Sequence, residues 1–451
     1  MRNARVGVLS VHDHDDDPLV RTWLGALFSG LEKRGASYAA LRVDTTLFRP
    51  NCELDLLVHP GSLWTVLDEI RDLCIRFSHL RIAYWSTMPG HSATVVLAWV
   101  GRRDQWEHYF LDIRCGIRKQ QMVLLDGTAL SDRTTTWDPA LGIRRLNDDL
   151  ERALLMIRNT LDHREPSPRH LRIIAERDKG DLAEAMRALG WRHVSGGKSA
   201  VIRKRPFGRI SFRFARPSAR YAVGALRGRV GKQTLGINVV IYGPDGVGKS
   251  TQAELLAHFF RGIGVRRVHV YHHLVELTSS AHSPSPKTPT AKTRIYRSAG
   301  RRWTMNTIVV LSYLKKLWIV LSRLRPMLKD GHVLIHDRYL LDVFEKFYTT
   351  HGIRLSRLER LLSPLTQREP FVIVLHAPPD IVSGRTTEMS AKDVTASYDL
   401  FFDCLSNAGR RLEGWTVVDT SQPVEKVHRE IIEHVLRVQT LRAESLRIPR
   451  G

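Results

Sequence analysis

The sequence has few of the features that mark secreted or membrane-spanning proteins. Its 451 residues include only four cysteines, without CxxC spacing or the density of a disulfide-rich secreted domain. The N-terminal apolar run is too short for a signal peptide and is followed at once by acidic residues. No uncharged apolar run approaches the roughly 20 residues that a membrane-spanning helix needs. We therefore expect a cytoplasmic protein, with peripheral attachment to a membrane as the alternative.

The best candidate for a membrane segment is WTMNTIVVLSYLKKLWIVLSRL, which begins at Trp303 and is interrupted by Lys315 and Lys316. Its pattern favours an amphipathic helix that packs on a core. Docking of this helix on a membrane surface is the alternative.

Acidic residues are absent from 185–244, although this segment contains 13 Lys and Arg residues and the whole chain carries a formal net charge of +23. Its Arg, Gly, Pro and Ser content predicts a basic connector over 185–235. A solvated linker packing on its neighbours is one interpretation. Because aromatic residues alternate with its arginines, contact with nucleic acid or an acidic membrane surface is the other. The connector separates a domain over 1–184 from a domain over 236–451.

The C-terminal half contains GPDGVGKST from Gly243, a full match to the GxxxxGK[ST] pattern of a phosphate-binding loop. A β-type run over 237–242 precedes the loop and a helical pattern follows it. Glycines let backbone N–H groups curl around phosphate oxygens, and the helix N-terminus adds partial positive charge. Lys249 would neutralise phosphate charge and Ser250 would ligate Mg²⁺. The residues expected to bind the nucleotide are Gly243, Asp245, Gly246, Gly248, Lys249, Ser250 and Thr251.

A second motif, IHDRY, ends a short apolar strand with Asp337 and Arg338. In open parallel α/β sheets ligands bind beyond the carboxyl ends of the strands, so these side chains are expected beside the phosphate loop. Asp337 can hold the Mg²⁺ shell or accept a proton, and Arg338 can bridge two phosphates. A strand-end turn without function is the alternative.

Further strands are predicted in PFVIVLHAPP and GWTVVDTS, followed by a helix from about Pro423. This alternation predicts an α/β domain whose parallel sheet is covered by helices on both faces. Between the two strands, Arg385 and Lys392 flank a polar stretch that is a candidate lid over ATP. The Ser- and Pro-rich segment 276–294 predicts a loop.

The phosphate loop with IHDRY and VVDTS resembles the thymidylate kinase family over about residues 236–440. The resemblance implies a P-loop kinase that uses ATP and Mg²⁺, with Lys249, Asp337, Arg338 and Arg385 as catalytic residues. It also implies that Asp245 orients the acceptor. The family's Arg-Glu-Pro turn is replaced here by HVYHHLVEL, where His272 and His273 are either acceptor contacts or structural residues.

The N-terminal half is predicted to be α+β. Glu53 and Asp55 are two apart on a predicted strand, so both carboxylates point to one face, and Asp112 lies on a later strand. This trio resembles the metal ligands of the nucleotidyltransferase superfamily, although the Gly-Ser turn of that family does not precede Glu53. An active transferase, an inactive or substrate-recognising domain, and strand-edge acids facing water all remain open. The HDHDDD run that ends at Asp17 favours a helix-capping turn over a metal site.

We therefore predict a kinase that transfers phosphate from ATP to a nucleotide or a related phosphorylated or sugar-bearing acceptor. Proteins that join two such halves resemble members of bacterial surface-polysaccharide pathways. The alternative is a non-catalytic ATP-binding module. A homodimer is left open.

Overall fold

The computed structural model consists of two compact units, Met1–Gln233 with Ala443–Gly451, and Thr234–Arg442. The residues described are 17–41, 43, 47–88, 91–101, 104–119, 122–131, 134–162, 185, 191–194, 201–204, 233–272, 299–345, 371–386, 389–408 and 415–445. Most of the predicted connector, residues 12–16, His273 and the segment 276–294 lie outside this described part of the chain.

The N-terminal unit combines helices with a mixed β-sheet. Its helices are α1 (Pro18–Lys33), α2 (Leu63–Arg76) and α3 (Asp148–Asp162). Its strands are β1 (Tyr38–Leu41), β2 (Cys52–Val58), β3 (Arg81–Met88), β4 (Ser92–Val100), β5 (Trp106–Arg114), β6 (Gly116–Lys119), β7 (Met122–Asp126), β8 (Thr135–Asp138), β9 (Ile143–Leu146), β10 (Trp191–Val194) and β11 (Val201–Lys204). Short 3-10 turns cover Pro60–Ser62 and Gly127–Ala129, and a short strand, β12 (Gln233–Thr234), lies at the boundary between the units.

Seven of these strands lie side by side in the order β3-β4-β5-β2-β1-β9-β8. Strands β2 and β5 are parallel, as are β1 and β9, and the remaining neighbours are antiparallel. Strands β6 and β7, and β10 and β11, form separate antiparallel pairs.

The first helix of this unit begins at a capped N-terminus. The Asp17 carboxylate accepts the Leu19 N–H at 2.9 Å, and Pro18 occupies the first helical position, where its missing N–H costs nothing. The helix buries Trp23 edge-on against Tyr109 of β5, with ring centroids 5.1 Å apart. Asp17 thus has the capping role that the sequence favoured.

The C-terminal unit is built on a five-stranded parallel sheet in the order β14-β15-β13-β16-β17. Its strands are β13 (Ile237–Tyr242), β14 (Val268–Tyr271), β15 (Val333–His336), β16 (Phe371–His376) and β17 (Trp415–Asp419). Its helices are α4 (Lys249–Gly262), α5 (Ala299–Ile319), α6 (Arg325–Lys329), α7 (Pro379–Arg385), α8 (Ala391–Ala408) and, as far as Arg442, α9 (Val424–Ser445). A π-helical turn, Val320–Leu324, joins α5 to α6.

The central strand of this sheet, β13, is buried at every position. Full burial on both faces is typical of a parallel sheet, whose strands are apolar throughout rather than alternating. The predicted mixed α/β fold with a parallel sheet is therefore confirmed for this unit. Among the described residues, no helix is both long enough and apolar enough to cross a membrane.

Candidate functional site

Three neighbouring strands of the C-terminal sheet end at one edge, and the residues that follow them form the site. Strand β13 continues into the loop that precedes α4, β15 is followed by Asp337, and β14 is followed by His272. Because these strands are parallel and adjacent, their carboxyl ends lie side by side. The order of strands thus brings together residues that are up to 94 positions apart in the sequence.

The loop between β13 and α4 depends on backbone conformations that favour glycine. Gly246 has φ +89°, and Gly248, at the N-cap of α4, has φ +100°. An added Cβ on Gly246 would lie 2.9 Å from the Thr386 Cγ2 atom. A side chain at Gly246 would therefore be strained and also too close to the residue after α7.

Lys249 lies at the first position of α4 and is only 7% exposed. Its Nζ atom donates to the Pro244 carbonyl at 2.9 Å and to Asp245 Oδ1 at 3.1 Å. The ammonium group is thus folded back over its own loop. An anion seated in this loop would meet a positive charge that is already in place.

Asp337 faces the loop across the sheet edge. Its Oδ2 atom accepts a hydrogen bond from Ser250 Oγ at 2.5 Å. Its Oδ1 atom is buried and has no hydrogen-bond partner among the residues that the structure describes, and Asp337 as a whole is 4% exposed. Burying a carboxylate oxygen without a hydrogen-bond partner costs folding free energy, and a ligand that contacts this atom would remove that cost.

Arg338 is held between two acidic side chains. Its Nη1 donates to Asp342 Oδ1 at 3.0 Å, and its Nη2 pairs with Asp245 Oδ1. Burial of the guanidinium opposes its charge, but Asp342 and Asp245 outweigh this effect and raise the pKa of Arg338. Likewise, burial opposes ionisation of Asp245, but Lys249 and Arg338 outweigh it and lower the pKa of that carboxyl.

His272 connects the site to α4. Its Nδ1 lies 3.2 Å from Asp337 Oδ2, and its Nε2 lies 3.2 Å from Glu254 Oε1. Burial of the ring opposes its charge, but the two carboxylates outweigh burial and raise the pKa of His272. The sequence named His272 as an acceptor contact or a structural residue, and its contact with Asp337 was not foreseen.

These side chains surround a cavity of about 460 Å³. The cavity is lined by Asp245, Gly246, Gly248, Lys249, Ser250, Thr251, His272, Asp337 and Arg338. The serine hydroxyl and the available Asp337 oxygen are hard oxygen ligands of the kind that Mg²⁺ takes beside phosphates. The residues present therefore fit a magnesium-bound polyphosphate.

Glu345 is a buried acid near this site that the sequence did not single out. Burial raises the pKa of Glu345 to about 7, while the nearby charge of Lys249 acts in the opposite direction. It follows Asp342, which also pairs with Lys316 Nζ at 3.4 Å. The available signal was the position of Asp342, four residues after Arg338 of IHDRY, which points to a further acidic group on the same short segment as Glu345.

The candidate lid residues lie apart from the cavity lining. Arg385 ends α7, is exposed, and donates through Nη2 to the Thr420 carbonyl at 3.2 Å. Lys392 is exposed on α8. Of this region, Thr386 lies beside Gly246 of the loop, and the lid role of Arg385 and Lys392 stays a prediction.

A separate acidic group lies in the N-terminal unit. One carboxylate oxygen of each of Glu53, Asp55 and Asp112 lies within 4.8 Å of the others. Parallel pairing of β2 with β5 places Asp55 directly opposite Asp112. Arg114 pairs with Asp112 through both Nε and Nη2, so one carboxylate of the trio already has a cationic partner.

No family model matches the chain, and no curated protein matches it. Among solved structures, thymidylate kinase from Ehrlichia chaffeensis is similar with a TM-score of 0.27 and 16% sequence identity, covering 44% of this chain and 97% of that chain. None of these comparisons supports the nucleotidyltransferase resemblance of the N-terminal half. At this level of similarity, the assignment of function depends on the residues of the site itself.

Proposed function

We propose that the C-terminal unit is an ATP- and Mg²⁺-dependent phosphotransferase. The observation that carries this proposal is the meeting of Lys249 and Ser250 with Asp337 at one sheet edge, where a buried Asp337 oxygen has no hydrogen-bond partner within the described part of the chain. A phosphate loop alone is compatible with many nucleotide-binding proteins. A magnesium-ligating acid and a second cation on the neighbouring strand favour phosphoryl transfer.

Each residue of the loop and the strand end has a role in this proposal. The loop amides from Gly243 to Ser250 and the Lys249 ammonium bind the phosphates of ATP, while Ser250 and Asp337 hold Mg²⁺. When bound, the metal neutralises charge on the phosphate oxygens. Arg338 offers a planar fork of donors to the transferred group.

A phosphate entering the cavity also changes the internal ion pairs. Asp245 holds both Lys249 and Arg338, so its carboxylate keeps two cations beside the loop before the ligand arrives. When phosphate oxygens take over these cations, Asp245 becomes available to accept a hydrogen bond from the acceptor. Preorganised cations of this kind stabilise developing negative charge without reorganisation during the reaction.

The acceptor we propose is a nucleotide or a related phosphorylated or sugar-bearing metabolite, with surface-polysaccharide metabolism as the setting. Asp245 and His272 line the same cavity as the phosphate-binding residues, which supports a role for them in contacting this molecule. Arg385 would close over ATP from the end of α7.

The test is ADP release from MgATP with a panel of nucleoside monophosphates and sugar phosphates. We expect one class of acceptor to raise ADP release well above the rate with ATP alone. In Lys249→Ala this acceptor-dependent release should fall by about 1,000-fold or more, because the variant loses charge stabilisation in the transition state. Lys426→Ala, which removes an exposed lysine from α9, is the matched control and should behave as wild type.

The same assay separates the kinase from a non-catalytic ATP-binding module. Such a module would bind MgATP in calorimetry but release no ADP in response to any acceptor class. Undiminished acceptor-dependent turnover in a folded Lys249→Ala variant would rule out the proposed role of this lysine.

A second candidate function belongs to the N-terminal unit, where we propose that Glu53, Asp55 and Asp112 bind a divalent metal. Their convergence on one face of β2 and β5 supports this proposal. Whether a nucleotidyl group is transferred there is tested by pyrophosphate release from nucleoside triphosphates. Absence of pyrophosphate together with retained metal binding would indicate a substrate-recognising domain.

A further inference from the structure

Helix α5 and the turns after it are apolar on two opposite faces. One face packs into the core of the C-terminal unit through Val309, Tyr313 and Leu324. The other face points outward and is formed by Leu311, Leu314, Trp318 and Leu321, which are 60%, 45%, 71% and 49% exposed. Single exposed apolar residues are common, but four of them on one helix face indicate a surface that is covered in use.

The outward residues follow the spacing of a single helical stripe. From Leu311, steps of three and four residues reach Leu314 and Trp318 and return to the same side of a helix with 3.6 residues per turn. Leu321 follows in the π-helical turn and is likewise exposed. Trp318, the most exposed of the four, lies near the middle of the stripe. An indole ring with one apolar and one polar edge is typical of a boundary between hydrocarbon and water.

The charge along the helical segment that carries the stripe has one sign. The segment 299–329 contains seven Lys and Arg residues and no Asp or Glu. Lys315 and Lys329 are exposed beside the stripe, as are Arg323 and Arg325. Long basic side chains can lay their apolar stems along lipid while their charged ends reach phosphate groups. A surface complementary to this face therefore has an apolar layer that meets the stripe and anionic groups that meet the basic side chains.

We propose that this outward face, formed by Leu311, Leu314, Trp318 and Leu321 with the flanking basic residues, docks on the surface of an acidic phospholipid membrane. The stripe would enter the boundary between headgroups and acyl chains, and the basic side chains would contact the lipid phosphates. The sequence favoured a core-facing helix with membrane docking as the alternative. The structure shows a core-facing side and a second apolar side, so the two interpretations apply to opposite faces of one helix.

A second copy of the chain fits this face less well. The stripe extends over eleven residues, or about 15 Å from the first to the last, and a helix is about 10 Å wide. A stable protein interface needs about 800 Å² from each partner. A symmetric contact through α5 would also bring the basic residues of one copy against those of the other, and this helix has no acidic residue to compensate.

The test is binding of the full-length protein to vesicles of phosphatidylglycerol and phosphatidylcholine, compared with vesicles of phosphatidylcholine alone. We expect binding to the acidic vesicles only, weakened at least about tenfold in the Leu314→Ser/Trp318→Ser variant because the apolar insertion is lost. The matched control, Val424→Ser/Leu441→Ser, changes two similarly exposed residues of α9 and should bind as wild type. Lys315→Glu should weaken binding at least about fivefold, and Lys426→Glu should not.

Brominated lipids provide a readout that also detects the position of the helix. They should quench tryptophan fluorescence in the wild type, and Trp318→Phe should lose most of this quenching while still binding. ATP binding and circular dichroism establish that each variant is folded.

Equal binding of acidic vesicles by wild type and the Leu314→Ser/Trp318→Ser variant would overturn the proposal and assign the contact to another basic segment. Self-association that these substitutions abolish, without vesicle binding by the wild type, would also overturn it in favour of a second copy.

Discussion

In the C-terminal site two acidic side chains, Asp245 and Asp342, are paired with cations, whereas in the N-terminal unit three acidic side chains converge on one another and share the cation Arg114 through Asp112. Asp245 and Asp342 hold Arg338 between them, and Asp245 also accepts from Lys249. In the N-terminal unit the carboxylates of the Glu53 group lie within 4.8 Å of one another. Under the proposals above, the first arrangement would bind an anion that takes over its cations, and the second would bind a cation.

The two sites also differ in how they are encoded. The proposed phosphate loop is continuous in sequence, and its glycines, lysine and serine each have a local physical reason. The acidic group is assembled only when β2 pairs with β5 in a register that sets Asp55 opposite Asp112. A continuous motif can therefore be interpreted before the fold is known, whereas an assembled group depends on strand pairing.

The largest effect is expected from neutralising the acid that completes the C-terminal site. Asp337→Asn removes the charge that would hold Mg²⁺ but keeps an oxygen to accept from Ser250. We expect kcat with the best acceptor to fall by about 100- to 1,000-fold, in the range found when one electrostatic contact to the transition state is lost. The magnesium concentration for half-maximal rate should rise as well. Steady-state ADP release over a magnesium titration measures both quantities.

The control for this substitution is Asp380→Asn, which neutralises an exposed acid on α7 of the same unit. The dissociation constant for ATP without metal should change only a few-fold in Asp337→Asn, because Lys249 and the backbone N–H groups of the loop are unchanged. A kcat within twofold of wild type would show that this carboxylate is no part of the metal site.

Much of the C-terminal site could be predicted because its parts are local. Gly246 and Gly248 have the positive φ values that a phosphate loop requires, and Asp337 follows a strand end as expected. The bridge from His272 to Glu254 could not be predicted, since it depends on how α4 packs beside the end of β14. Likewise, the outward face of α5 could not be separated from its core face, because both are apolar and only packing decides which one is buried.

A smaller effect is expected on stability, from the buried acid Glu345. Its pKa is raised from 4.5 to about 7 in the folded protein, so the folded state keeps a proton that the unfolded state gives up above pH 4.5. This contribution to stability is full below pH 4.5 and is lost as the pH rises through 7. We therefore expect the free energy of unfolding of Glu345→Gln, relative to that of wild type, to rise by up to about 2–3 kcal/mol as the pH increases from 5 to 8.

Guanidinium unfolding of the C-terminal unit at several pH values measures this difference. Glu425→Gln, which changes an exposed acid of α9, should show no such pH dependence relative to wild type. If the stability difference between Glu345→Gln and wild type is the same at pH 5 and pH 8, Glu345 is ionised in the folded protein at both.

The smallest effect is expected on the stability of the N-terminal unit. There, Asp55→Asn changes stability in opposite directions with and without metal. Asp55→Asn should remove one bound Mn²⁺, counted by electron paramagnetic resonance in an Asp337→Asn background so that the C-terminal site does not contribute. Without metal, the substitution relieves repulsion between Asp55 and the neighbouring carboxylates, so the unit should be as stable as the parent or up to about 1 kcal/mol more stable. With saturating Mn²⁺, only the parent gains stability, by about 1 kcal/mol or a few degrees in Tm.

Asp126→Asn is the control for this substitution, because asparagine can still accept from the Thr128 N–H and the residue lies outside the trio. If the parent and Asp55→Asn bind the same amount of Mn²⁺, Arg114 is the sufficient partner of this acidic group and the contrast between the two units disappears.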